Sequence, residues 1–348
     1  MGSRYQSQIL YRISKVKKSI VFMIKWFRKH FKLIFSILII GAVVYFFSTE
    51  FKKNWQDIQD MDLKLNIPFM CASLLIIALS YLINTMTWRY LINSYHRELQ
   101  RISIKESIAI VNTTQLAKYI PGKVWSYAVQ IFWLAKRGYS KSNVLFINVV
   151  ATLSTLMAAS AVGTVMLATT MAKISRNGAI FYIGMIILAY AVFILFHTPI
   201  LNFLIRLANK IIKKEISYVN ISLKQILVTQ LLYLLGNVVF CIGGYLLCFA
   251  IGIDSDFKLM TVLVGSLLVG DVVGFVVLIV PGGLGVRESL MFFIITGVTK
   301  QKDIATVVPV ATRLLTMSVD IAMGLLGLML GRNTVINPRN VTQAENPQ

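Results

Sequence analysis

The chain has 348 residues, of which 57% are hydrophobic and only 14% charged, with a mean hydropathy of +0.72. Soluble domains are roughly half apolar and about a quarter charged, so these values exclude an ordinary soluble globule and point to one polytopic membrane domain. The formal net charge of +21 does not signal nucleic acid, because the basic residues sit in short segments beside apolar runs, where they set topology and face anionic lipid.

Residues 1–30 carry Arg4, Arg12, Lys15, Lys17, Lys18, Lys25, Arg28 and Lys29 and no acidic residue. They read as a basic amphipathic segment along the cytoplasmic leaflet, with the N-terminus inside. No small-x-small cleavage site follows the first apolar run, so that run reads as an uncleaved anchor. Crossing the bilayer core takes about 20 apolar residues. On that length the sequence predicts spans near 32–48, 67–91, 144–171, 179–200, 226–250, 259–280 and 304–330. Residues 104–136 are amphipathic and interrupted by Pro121-Gly122, and residues 284–299 are apolar but short.

Loop charges give the sidedness. Segment 49–66 holds Glu50, Asp57, Asp60 and Asp62, and 251–258 holds Asp254 and Asp256; both suit the outside. Segments 92–105 and 201–224 are basic and suit the inside. That order holds only if 104–136 enters and leaves on the cytoplasmic side as a re-entrant hairpin, and if 284–299 crosses or nearly crosses. The expected fold is all-α: a membrane helix bundle of seven or eight spans, with broken helices at two Pro-Gly sites. Residues 31–331 form the membrane domain and 332–348 a short cytoplasmic tail, in a bacterial or archaeal cytoplasmic membrane.

The two Pro-Gly sites are "KYIPGKVW" (Lys118–Trp125) and "LIVPGGLGVRE" (Leu278–Glu288). Proline removes a backbone donor and glycine tolerates positive φ, so a helix should stop at each. Inside a membrane, broken backbone persists only where protein or water satisfies it, and paired breaks in two halves of a transporter point to its binding site. Whether the two sites belong to an inverted repeat stays open on the sequence. Lys118 and Lys123 bracket Gly122 in the first break. In the second, Pro281, Gly282, Gly283 and Gly285 precede Arg287 and Glu288, so freed N–H groups and a cation lie at a new helix start, which favours an anion. These nine residues are the expected substrate-binding set. Against it stands the plainer reading that the glycines serve close helix packing and the cations reach for the interface.

Few acidic residues fall in apolar regions of the second half: Asp271, Glu288 and Asp320. Intramembrane charges face a cavity or a partner. With Arg313, seven positions before Asp320 on the same helix, Asp271 and Asp320 are the expected gating network, unless the pairing only locks the bundle. Cys71, Cys241 and Cys248 lie in apolar stretches and read as packing residues. No metal, nucleotide or nucleophile motif is legible, so no metal, cofactor or catalytic residue is expected.

"PGGLGVRE" (Pro281–Glu288), the upstream "YIPGKVW" hairpin and the span count resemble the lysylphosphatidylglycerol synthase membrane-domain family. That family includes the flippase half of the bacterial multiple peptide resistance factor and many stand-alone inner-membrane proteins. The resemblance covers roughly residues 30–330. It implies the membrane half of the job, a flippase-like protein moving or presenting an anionic phospholipid or lipid-linked glycan, in company with envelope-synthesis enzymes. The alternatives are a membrane-embedded glycosyltransferase-like or aminoacyl-lipid enzyme, and a non-transporting scaffold. The chain stops at Gln348, about eighteen residues after the last span, with no soluble synthase domain legible, so enzymatic lysyl transfer is not expected of it.

Overall fold

The computed structural model describes residues 64–95, 99–119, 125–171, 176–212, 221–253, 257–277 and 283–331, together with Tyr45, residues 48–49, Lys52 and a short helix α1 (Trp55–Asp60). The segments 1–30 and 332–348, and nearly all of the span expected at 32–48, lie outside the described residues. Among the described residues all regular structure is helical. The order is α2 (Ile67–Tyr95), α3 (Ile104–Gln115) running into a 3-10 turn (Leu116–Tyr119), α4 (Trp125–Ala135), α5 (Lys141–Met171), α6 (Arg176–Leu195), α7 (His197–Ile212), α8 (Leu223–Ala250), α9 (Phe257–Val276), α10 (Val286–Thr299) and α11 (Lys302–Gly331). Six of these, α2, α5, α6, α8, α9 and α11, are long and apolar enough to cross a bilayer. The chain is a polytopic all-α membrane protein.

Polar signals set the helix starts. Ser103 and Glu106 form a reciprocal capping box at α3, and Ser222 and Gln225 do the same at α8. Each pair satisfies two backbone donors that a helix start otherwise leaves unpaired. The apolar run expected at 179–200 divides instead, because α6 ends at Leu195 and α7 is a separate amphipathic helix that buries Leu201 and Ile205 and exposes Arg206.

Lipid tails are as apolar as leucine, so helices in a bilayer associate by close packing and interhelical hydrogen bonds. The α2–α8 seam shows both. Ser73 Oγ donates to Gly243 O at 2.7 Å and Ser80 Oγ to Gly236 O at 2.9 Å, while Asn66 N–H donates to Ala250 O at 2.8 Å. The matched residues descend on one helix as they climb on the other, so the pair is antiparallel. A Cβ on Gly236 would come within 2.4 Å of Asn84 Oδ1, and one on Gly243 equally close to Ile77.

Two further antiparallel seams follow the same rule. Gly324 and Gly327 of α11 lie against Leu116, Thr113 and the Ile108 carbonyl of the α3 segment. Gly163 of α5 lies against Leu268, and Gly265 of α9 against Leu167.

The breaks turn two segments into hairpins. α4 folds back along α3, with Gln130 Nε2 donating to Thr114 Oγ1 at 2.9 Å. α10 folds back along α9, where Gly274 meets Gly283 and Arg287. The arms of the first hairpin, 12 and 11 residues, are too short to cross, as a re-entrant segment requires. At 14 residues, α10 reaches about 21 Å of a core about 30 Å thick.

The foot of the first hairpin lies beside the C-terminal part of α11, whereas the second leads through Lys300 and Gln301 directly into the N-terminus of α11. The hairpins therefore enter from opposite ends of α11 and meet between. Helices α2–α5 and α8–α11 repeat one plan, a long helix, a broken hairpin and a long helix, threaded in opposite senses. The crosswise seams, α3 on α11 and α9 on α5, are what an inverted repeat requires. The sequence carries its trace: Pro121 precedes Pro281 by the interval that separates Val150-Ala151-Thr152 from Val310-Ala311-Thr312.

Two apolar clusters flank the meeting point. One contains Leu91, Ile110, Leu134 and Ile147, the other Leu263, Leu267, Ile295 and Val319. Outward-facing Leu75, Phe181, Leu188, Leu231 and Met329 are exposed, which suits side chains that meet lipid tails.

Candidate functional site

Between the hairpins lies a cavity of about 370 Å³, lined from α2, α3, the 3-10 turn, α4, α5, α8, α9, α10 and α11. Lys118 ends the first arm of one hairpin; Asp271 stands near the end of α9 and Arg287 in the first turn of α10. Arg313 and Asp320 come from the middle of α11. All five lie on the cavity wall.

The charges pair across elements. Lys118 Nζ donates to Asp320 Oδ1 at 2.7 Å, joining the tip of the first hairpin to α11. Arg287 Nη1 lies 2.7 Å from Asp271 Oδ1 and ties the two arms of the second hairpin. Arg313 Nε stands 3.7 Å from Glu288 Oε1. Glu288 Oε2 accepts the N–H of Gly285, so the carboxylate caps the start of α10 from within. Lys118, Arg287 and Arg313 are thus matched by Asp320, Asp271 and Glu288, and the six charges cancel. Burial makes this necessary, since an unmatched ion in low dielectric costs several kcal/mol.

Arg287 is 5% exposed and binds Asp271 through one terminal nitrogen only; its Nε and Nη2 carry no hydrogen bond. That pair is the side edge of the guanidinium fork, the geometry that takes two oxygens of one phosphate or carboxylate. Gly283 explains how the chain brings Arg287 here. Its φ is +67°, and a Cβ would fall 2.8 Å from the Gly274 carbonyl oxygen. Only glycine lets the turn lie flat on α9 and aim the first turn of α10 inward.

Lys118, Asp271, Arg287, Arg313 and Asp320 are therefore brought together, and Glu288, Gly283 and Gly285 stand directly behind them. Gly122, Lys123, Pro281 and Gly282 lie outside the described residues. The pairing differs from the linear spacing: Arg313 and Asp320 share a helix, yet each has its charge partner on a different hairpin.

Sequence reasoning missed a second wall of the cavity. It consists of carboxamides, hydroxyls and aromatic rings: Asn112, Gln130, Asn148, Thr152, Tyr127 and Trp88, with Asn237 and Tyr233 of α8. Trp88 Nε1 donates to Asn148 Oδ1 at 2.8 Å, and Tyr127 Oη and Thr152 Oγ1 are 2.7 Å apart. The available signal was each Asn or Gln standing alone in an apolar run, such as Asn148 in "LFINVVA" and Gln130 in "YAVQIFW".

A helical membrane protein with a charge-paired cavity between two oppositely threaded hairpins is the class that fold and site define. Residues 33–324 match the model of the lysylphosphatidylglycerol synthase TM region, and the chain belongs to that family. No curated protein and no solved structure matches it. Family and fold together identify a multi-pass membrane protein associated with membrane lipids.

Proposed function

We propose that the protein carries or presents a phosphate-bearing lipid, with the headgroup held in the cavity between the hairpins and the acyl or prenyl chains left in the bilayer. The observation that carries this reading is the unbonded Nε/Nη2 edge of Arg287, a buried residue of the cavity lining whose charge is matched by Asp271 through its other terminal nitrogen alone. A phosphate docking there would leave the Asp271 contact in place and add two charge-assisted hydrogen bonds. In this reading Lys118 adds a second cation on the cavity wall, Lys123 and Gly282 join the substrate set on their sequence position, and the glycines at 283 and 285 keep the turn close to the headgroup. Asp271, Glu288, Arg313 and Asp320 exchange partners as the hairpins move. Inverted hairpins suit such a cycle, because each gives access from its own face. The N-terminus is assigned to the cytoplasm on the basic residues 1–30, and the C-terminus to the same side.

The test is reconstitution into liposomes with fluorescent anionic lipids, followed by quenching from outside. Wild-type protein is expected to move lipid faster than empty liposomes do, and Arg287→Ala to reduce the rate by about tenfold or more, the loss of one or two charge-assisted bonds. No movement above empty liposomes across the lipid panel would refute the reading for those lipids.

A further inference from the structure

The carboxamide wall has a chemistry of its own. Trp88 Nε1 can only donate, so Asn148 must offer it Oδ1, which leaves Nδ2 as a donor with no hydrogen bond. The Thr114 hydroxyl donates to the carbonyls of Ile110 and Val111, at 2.9 Å each. It must then accept from Gln130 Nε2, which leaves Gln130 Oε1 as an acceptor with no hydrogen bond. Asn112 Nδ2 is likewise unbonded. Asn148, Gln130 and Asn112 are 2%, 6% and 1% exposed. Buried polar atoms left unsatisfied cost about 1–3 kcal/mol each, so three on one cavity's walls mark a place prepared for a polar, uncharged partner. Two spare donors and a spare acceptor match hydroxyl groups, which both give and take hydrogen bonds. The rings of Trp88, Tyr127 and Tyr233 add flat apolar faces beside them.

The same wall is unsuited to an ammonium headgroup. It holds no carboxylate, and each carboxylate of the adjoining charged region already faces Lys118, Arg287 or Arg313.

We infer that the α2–α5 wall of the cavity is a subsite for an uncharged, hydroxyl-rich headgroup, a glycosyl unit, next to the phosphate position at Arg287. This rests on the proposed phosphate-lipid reading and narrows it to a lipid-linked sugar. A cavity of about 370 Å³ lies at the small end of ligand sites, so the subsite takes a short glycan rather than a polymer.

The experiment is binding to the full-length protein in nanodiscs, measured separately with a polyprenyl phosphate, the same polyprenyl phosphate bearing one hexose, lysylphosphatidylglycerol and phosphatidylcholine. The hexosyl lipid is expected to bind about tenfold more tightly than the bare polyprenyl phosphate, the gain of one to two net hydrogen bonds, and more tightly than the lysyl lipid. Asn148→Leu and Gln130→Leu, on different helices of that wall, should each bring the hexosyl-to-bare ratio toward one. Equal affinity of the two polyprenyl lipids for wild-type protein overturns the subsite, whether or not either variant folds. Tighter binding of the lysyl lipid overturns it as well. A ratio unchanged in a folded variant removes that side chain's hydroxyl contact and, if found in both, the subsite. If no phosphate lipid outbinds phosphatidylcholine, the proposed function itself fails, an outcome separable from the others.

Discussion

Lys118 and Asp320 show how unequal the two ends of one ion pair are. The aspartate side chain is 1% exposed, while that of the lysine is 31% exposed toward the cavity. Removing the lysine charge takes a cation at 2.7 Å from a deeply buried carboxylate; removing the carboxylate leaves an ammonium that the cavity can still hydrate. Lys118→Met is therefore expected to destabilise the protein by about 3 kcal/mol, the low end for breaking a buried pair, and Asp320→Leu by less. The double variant should recover most of the loss, because a matched apolar pair replaces a matched ionic one. Thermal unfolding of the four proteins in detergent gives the cycle, and equal losses in both single variants would contradict the asymmetry. At this scale the sequence was legible where charge was scarce. Three acidic residues in apolar surroundings led directly to the cavity, because hydrocarbon tolerates such groups only at a partner. Asn112, Gln130 and Asn148 were not legible. An isolated amide in an apolar run is as well explained by a helix contact, and only folding shows three helices turning theirs toward one space.

At the scale of elements, the first hairpin is closed at its foot by side chains. Glu106, in the first turn of α3, lies 2.7 Å from Arg137 just beyond α4, and accepts the Ser103 N–H at 2.9 Å. The Tyr139 hydroxyl adds a bond to the Gln100 carbonyl at 2.9 Å. Burial alone would raise the Glu106 carboxyl, but the Ser103 bond and the Arg137 guanidinium together hold it below the ordinary 4.5. The folded chain thus takes up this proton less readily than the unfolded chain. The stability it contributes is complete above 4.5 and is lost as pH falls through the lower folded value. Unfolding followed across that range should show wild type more stable than Glu106→Gln at neutral pH, with the gap closing in acid. A gap that widens on acidification would reverse the assignment. Helix existence was largely legible here, and so was the start of α2 at Ile67, whereas other helix starts were not. α8 begins at Leu223 and α5 at Lys141, each about three residues before the hydropathy rises; at α8 the reason is the Ser222 cap, since a polar cap, not an apolar side chain, opens that helix. The division at Phe196 was hidden for the converse reason: the apolar run continues past the end of α6.

At the scale of the molecule, the lipid-carrying reading requires the hairpins to move against the long helices that flank them. Thr170 of α5 and Thr261 of α9 bring their hydroxyls to 3.3 Å, close enough for a disulfide between cysteines placed there. In a Cys71→Ser background, Thr170→Cys with Thr261→Cys should form that bond on mild oxidation. Lipid movement should then stop and return on reduction; movement that continues in the oxidised protein would place the working motion elsewhere. The break sites and the charges of this architecture were visible in the sequence. The crosswise seams were not, since glycines spaced for packing look alike whichever helix they meet. The inverted plan also accounts for α6. Each copy begins and ends on the same side of the bilayer, because its hairpin returns to the side it entered from. Joined directly, two such copies would point the same way. An odd crossing must separate them, and α6 is the helix that supplies it. Its packing fits that duty: Ile180, Phe181, Ile187 and Leu188 are all exposed, and among the six long apolar helices it is the most thinly covered by protein. α6 is a reversing spacer, defined by the count of passages it completes rather than by the side chains it offers.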